Sequence, residues 1–188
     1  MLVKDFKAKV DSLINVKLKN YSEYLDFDSD ETTGFKEVLK ATLTYPIYTN
    51  IERYPIKYAY HSKTKSFPEV DANFYDYRKF INVDNSASMY YSPYSKYLIN
   101  YLYNKTYSLG YPPNMSDYPE KFTLDLLDVI DTEIKSVKIK NTLLRQTVIG
   151  HFNRKSSKII KNKSFDKFLK LSTNEKDKTQ IKNLILDS

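Results

Sequence analysis

The sequence contains no cysteine and no tryptophan, and only three glycines in 188 residues. Without cysteine there is no disulfide, no thiolate metal ligand and no thiol nucleophile. So little glycine leaves the tight turns of β-hairpins almost without their usual residue. Gly34, Gly110 and Gly150 also stand too far apart to build a phosphate-cradling loop. No glycine-x-serine-x-glycine elbow occurs, so the plentiful serines lack the setting of a strained nucleophile. No run is long and apolar enough to span a bilayer. No leader is visible either: Leu2 and Val3 are followed at once by Lys4 and Asp5. Apolar periodicity begins at Val3, which is expected of a compact cytosolic protein or of a fragment of a longer one.

The chain is rich in phenol. It has 18 Tyr and 10 Phe, so much of its core is aromatic with polar edges that need partners or a surface position. Hydrophobic residues at 41% and charged residues at 28% describe a globular chain with material for a core. The net charge of +7 fits a solubilising surface, or else a polyanionic partner.

The organising stretch is residues 92–102. Ser92 reads as a helix N-cap and Pro93 as the first helical residue. Tyr94, Tyr97 and Tyr101 then share a face with Leu98 and Leu102, while Tyr90 lies before the cap. Upstream, Val3 to Leu25 predicts a long helix, and Phe35 to Leu43 starts a second one that Pro46 kinks or breaks. Tyr54-Pro55 reads as extended or turn, and Asp71 as the cap of a short helix through Ile81. Leu109 to Pro113 is the strongest punctuation. It divides a tyrosine-rich lobe, 1–113, from an aliphatic and basic lobe, 114–188. In the second lobe Phe122 to Val137 forms one helical face, and Leu143 to Ile160 a second. Phe165 to Leu169 gives a short third, and Ser172-x-x-Glu175 is a capping box for a last helix. The predicted fold is all-α, a multi-helix bundle of about eight or nine helices in two lobes.

Candidate sites are few. Asp26, Asp28, Asp30 and Glu37 occupy carboxylate positions of an EF-hand calcium loop between two predicted helices. Glu31 stands where that loop needs glycine and Thr33 where it needs an aliphatic residue, so a solvated acidic loop is the better reading. His61 and His151 have no second ligand nearby in sequence and read as structural or surface residues. Asp125, Asp128 and Asp131 lie opposite an apolar face and read as solvated charges. Between Lys135 and Lys182, cations including Arg145, Arg154, Lys155 and Lys158 are scattered round the helices rather than lined along one face. With surface tyrosines they offer an alternative, a stand-alone single-stranded nucleic-acid-binding protein, although nucleic acid is not the expected partner. Tyr90, Tyr91 and Tyr103, off the buried face or at its edge, are the candidate contact surface.

Several pieces recur in a familiar order. They are the helix from Phe35, Tyr54-Pro55, Phe74-Tyr75, Val83-Asp84-Asn85, and Ser92-x-Tyr94-x-x-Tyr97-Leu98-x-x-Tyr101. Ile139-Lys140-Asn141-x-Leu143-Leu144-Arg145 and Ser172-Thr173-Asn174 complete the series. This order resembles the helical region that precedes the thioredoxin-like domain in TlpA-type thiol:disulfide reductases of Gram-negative envelopes. The resemblance implies an accessory domain in the periplasm or cell envelope, next to a domain whose Cys-x-x-Cys pair does the chemistry. With no cysteine here, no catalytic residue carries over, and no cofactor is implied. The implied role is protein contact or spacing, with a client or the thioredoxin-like domain as partner. Oligomeric state is not implied.

Overall fold

A computed structural model describes residues 2–27, 30–113, 120–153 and 158–186, without the side chains of 120, 158–162, 185 and 186. It is all-helical, with seven α-helices and two short 3-10 helices and no strand among the described residues. The helices are α1 (Val3–Phe27), α2 (Thr33–Ser62), α3 (Ser92–Tyr107), α4 (Glu120–Glu133), α5 (Val137–Phe152), α6 (Lys158–Leu171) and α7 (Glu175–Leu186). Seven rather than eight or nine arise because the stretches on either side of Pro46 form one helix and the short helix expected at 71–81 is not an α-helix. Two compact units form. The first takes the described residues of Met1–Ile81, Tyr90–Asn104 and Pro112–Asn114; the second takes those of Asn82–Met89, Lys105–Tyr111 and Met115–Ser188.

In the first unit, α2 decides between a kink and a break at Pro46 and corrects the turn expected at Tyr54-Pro55. It continues through both Pro46 and Pro55, so Tyr54-Pro55 is helical rather than a turn. A proline inside a helix removes one backbone bond and costs about 3 kcal/mol or more. Burial supplies the offset: Ile47, Tyr48, Ile51, Tyr54 and Ala59 are all buried on one side of this helix. The carbonyl of Glu52, in the turn before Pro55, accepts from Asn104 Nδ2 at 2.8 Å. The helix starts on Thr32, whose hydroxyl accepts from the Phe35 amide, and ends on Lys63 in the left-handed conformation, φ 53°. Phe6 of α1 stacks on Tyr54 at 3.9 Å and joins the two helices.

The short helix expected at 71–81 is a succession of tighter turns. Amides of Phe74, Asp76, Arg78 and Ile81 each bond the carbonyl three residues back, and Asp76–Phe80 is a 3-10 helix. Three residues per turn put Phe74, Tyr77 and Phe80 in one row and Tyr75 and Arg78 in the next. An α-helix would spread these residues around the axis.

Tyr94, Tyr97, Leu98, Tyr101 and Leu102 form the buried face of α3, as their spacing predicts. The helix opens one residue earlier than the Ser92 cap implies, since Tyr91 supplies the carbonyl to the Ser95 amide.

The second unit is aliphatic. Leu126, Leu127, Ile130 and Ile134 of the α4 stretch bury with Ile139, Leu144 and Val148 of α5, Phe168 of α6 and Ile181 of α7. Val137 does not extend the α4 face; it opens α5 and is 62% exposed. Asn141 lies inside α5 and binds the α6–α7 turn: its Oδ1 accepts from Ser172 Oγ and the Thr173 amide, and its Nδ2 donates to Thr173 Oγ1. Asn174, not Ser172, caps α7, accepting from the amides of Lys176 and Asp177. Ser172 is buried and already engaged with Asn141, which leaves Asn174 to cap. Asp84 accepts from the amides of Lys135 and Ser136 at 2.7 Å each, satisfying orphan donors where α5 begins.

Candidate functional site

The first unit holds a charge inside an aromatic core. The side chain of Glu52 is fully buried on α2. Its Oε1 accepts from Tyr77 Oη at 2.5 Å and Arg78 Nε at 2.9 Å, and its Oε2 accepts from Arg78 Nη2 at 2.6 Å. The guanidinium lies over the ring of Tyr75 at 3.9 Å and near that of Tyr101 at 5.0 Å. Asn104 Nδ2 donates to Tyr75 Oη as well as to the Glu52 carbonyl. Burial alone would ease the proton off Arg78, but the bonds and charge of Glu52 outweigh it and hold the guanidinium protonated. Burial, then the Glu52 charge, pushes the Tyr77 phenol far above its ordinary range. Tyr97 is pushed up for the same two reasons in the same order. Its hydroxyl is buried without a hydrogen-bond partner, among the rings of Tyr45, Tyr48, Tyr77 and Tyr101. A doubly held carboxylate and phenols that keep their protons make a structural joint, not an acid–base pair poised near neutral pH.

A groove of about 250 Å³ lies beside this joint, within the same unit. Lys7, Asp11, Ile14 and Leu18 line it from α1, and Tyr48 and Ile51 from α2. The row Phe74, Tyr77 and Phe80, with Asn73 and Asp76, completes it. Tyr77 belongs to both features. Its ring stacks on Tyr48 at 4.6 Å in the groove wall, while its hydroxyl reaches Glu52. Phe80 is 84% exposed at the edge.

The residues singled out from sequence fall elsewhere. Asp26 ends up in the last turn of α1, Asp30 in the following turn and Glu37 within α2, while Asp28 lies outside the described residues. Among the described residues no three His, Asp or Glu side chains converge as a metal site, and Glu31 accepts from Tyr24 Oη at 3.1 Å. Tyr90 is strongly exposed, whereas Tyr91 and Tyr103 are half-buried, and the Tyr91 hydroxyl bonds that of Thr42. His61 is exposed near the end of α2. His151 is buried, its Nδ1 hydrogen-bonded to Thr123 Oγ1 at 3.0 Å.

The aspartates of α4 are not merely solvated. Asp125 accepts from Tyr111, Asp128 from Lys167 and Asp131 from Lys140, each a residue outside α4. The basic stretch is partly neutralised by the same bonds, with Arg145 on Asp177 and Lys178 on Glu175 in addition. Arg154 and Lys155 lie outside the described residues, as does the side chain of Lys158.

Glu52 and Arg78 escape sequence reasoning because they are 26 residues apart and neither belongs to a motif. One signal exists. Each is a charge inside an aromatic-rich run, Tyr48 to Tyr54 and Phe74 to Phe80, but other charges (Arg53, Asp76 and Lys79) share those runs and nothing local marks which are buried. Comparison of the chain with protein-family models, with curated proteins and with solved structures returns no match.

Proposed function

We propose that this chain is a non-catalytic helical interaction domain that binds another polypeptide through the groove of its first unit. One observation carries the reading: a concave, aromatic and aliphatic surface is built on a frame whose ionisable groups are engaged in holding the frame together. Rigid aromatic side chains at low conformational cost suit recognition. Four pieces that carry the TlpA-type resemblance are joints of the fold: Tyr94, Tyr97 and Tyr101 in a core, Asp84 at the start of α5, and Asn141 with Ser172-Thr173. The proposal extends to an accessory region of an envelope thioredoxin-family reductase, with a client or the thioredoxin-like domain as partner. That extension rests on the order of the motifs alone.

Photo-crosslinking tests the contact reading. A photoreactive residue at position 80 of the full chain should join one defined polypeptide, and Leu18→Glu in the groove should abolish the adduct. An adduct no different from that of a probe at exposed Lys57 overturns the reading. For the envelope assignment, a reading frame without a Cys-x-x-Cys domain after Ser188 removes it. The nucleic-acid alternative is weakened where Lys140, Arg145, Lys167 and Lys178 each face a carboxylate.

A further inference from the structure

We infer that residues 71–81 are a strap that opens as one piece from the helices of the first unit, pinned shut by the Glu52 joint, so that one wall of the groove can move. The inference goes beyond the contact reading and does not depend on what docks. Backbone bonding motivates it. The amides of Phe74, Asp76, Arg78 and Ile81 bond the carbonyls of Asp71, Asn73, Tyr75 and Arg78, so each of these bonds stays inside the strap. Among the described residues, no backbone group of residues 74–81 bonds another element. Withdrawing the strap therefore leaves the backbone ladders of α1, α2 and α3 whole. At the far end Ile81 is extended, φ −105° and ψ 122°, and can turn without unwinding an α-helix.

Side chains hold the strap, at two anchors. One is Phe74, which is buried against Phe6 and Tyr54, with ring centroids 6.2 and 5.8 Å away. The other is the joint. Tyr77 and Arg78 donate to Glu52, and Tyr75 accepts from Asn104, which also donates to the Glu52 carbonyl. A segment tied in by a backbone ladder opens only with its neighbours, whereas one tied by side chains at two points opens at lower cost. The strap supplies Asn73, Phe74, Asp76, Tyr77 and Phe80 to the groove, and α1 and α2 supply the rest. The groove thus has a fixed wall and a movable one, and a guest that touches both holds the strap closed.

Native-state hydrogen exchange of the full chain, read amide by amide, tests this. The amides of Phe74, Asp76, Arg78 and Ile81 should exchange about tenfold faster, or more, than those of Ile47 and Ile51 in α2. Their rates should stay nearly flat in low urea, where those of α2 climb. Tyr77→Phe removes one bond to Glu52 and leaves the ring on Tyr48. It should speed the strap amides about ten- to a hundredfold, the loss of one bond to a charged acceptor. Ala41→Gly lies in α2 about two turns before Tyr48. It should speed the α2 amides about fivefold and leave the strap amides unchanged. Strap amides that share the α2 rate and urea dependence, or that follow Ala41→Gly, open only with the whole unit and overturn the inference. Strap amides indifferent to Tyr77→Phe show that the Glu52 joint is not the pin, which overturns it too.

Discussion

In the first unit a full charge, Glu52, lies inside the core, whereas in the second every described ion pair keeps one partner at least 35% exposed. The cores differ in the same sense. Among the described residues five buried tyrosines belong to the first unit, Tyr48, Tyr54, Tyr94, Tyr97 and Tyr101, and one, Tyr107, to the second. A phenol brings a donor with it, and buried donors seek acceptors. Glu52 answers Tyr77, but the hydroxyl of Tyr97 has no partner. An aromatic core thus admits buried charge and tolerates an imperfect match, while an aliphatic core keeps its charges at the rim. Aliphatic packing is non-directional, but the Glu52 joint fixes which residues of the 3-10 turns face inward. The gain is in specificity more than in stability, because buried pairs return little net energy.

The sharpest way to break this contrast is Glu52→Ala. It leaves Arg78 without its carboxylate inside an aromatic surround and should lower the unfolding free energy by about 3–5 kcal/mol. Urea unfolding checks it, and a loss under 1 kcal/mol would erase the distinction between the units. Next in size is Asn141→Ala, which strips a neutral buried joint from the second unit. About 1–3 kcal/mol is expected, below the Glu52 effect; an equal or larger loss would reverse the ranking.

Alkaline pH separates the units chemically. Tyr45, Tyr48, Tyr54, Tyr75, Tyr77 and Tyr97 of the first unit all have raised phenol pKa values with burial as the leading cause, against Tyr111 in the second. The folded chain keeps these protons after the unfolded chain has released them. The stabilisation is therefore complete below about pH 10 and is lost as pH rises above it. Each such phenol adds to the fall of stability with pH in that window, by at most about 1.4 kcal/mol per pH unit. Absorbance at 295 nm, followed with helix content, should show these six phenols ionising only as the first unit unfolds. Free titration of those phenols in a folded chain would contradict the burial argument.

Two smaller changes refine the comparison. Tyr97→Phe removes a hydroxyl that lost its water and gained no partner, so stability should rise by about 1 kcal/mol in thermal melts. A loss instead would show that this hydroxyl is satisfied in solution. Lys167→Ala at the rim of the second unit should cost less than about 1 kcal/mol, measured the same way. A larger loss would give the rim pairs the weight assigned here to the buried one.

Sequence patterns disclose one half of this contrast far better than the other. The aliphatic faces of α4 and α5 and the tyrosine face of α3 appear at the spacing of a helix, because apolar period is a local property. Tyr54-Pro55 misleads, because local proline rules are outweighed by the burial of Tyr48, Ile51 and Tyr54 on the same helix. Ser172 misleads in another way: a distant acceptor, Asn141, takes the hydroxyl that the local pattern assigns to a cap. The groove was not legible. Its rows exist only once residues 71–81 turn with a period of three, and its lining comes from three stretches of chain.

The period of three also makes the chain between Asp71 and Ile81 intolerant of length change. Deleting one residue there would rotate every later position by a third of a turn. Arg78 would then move out of the row that meets Glu52, and its neighbours would trade inside for outside. Substitution at the exposed end, Lys79 or Phe80, disturbs none of this. Variants of this protein should therefore vary freely in residue type at 79, yet gain or lose residues only before Asp71 or after Ile81.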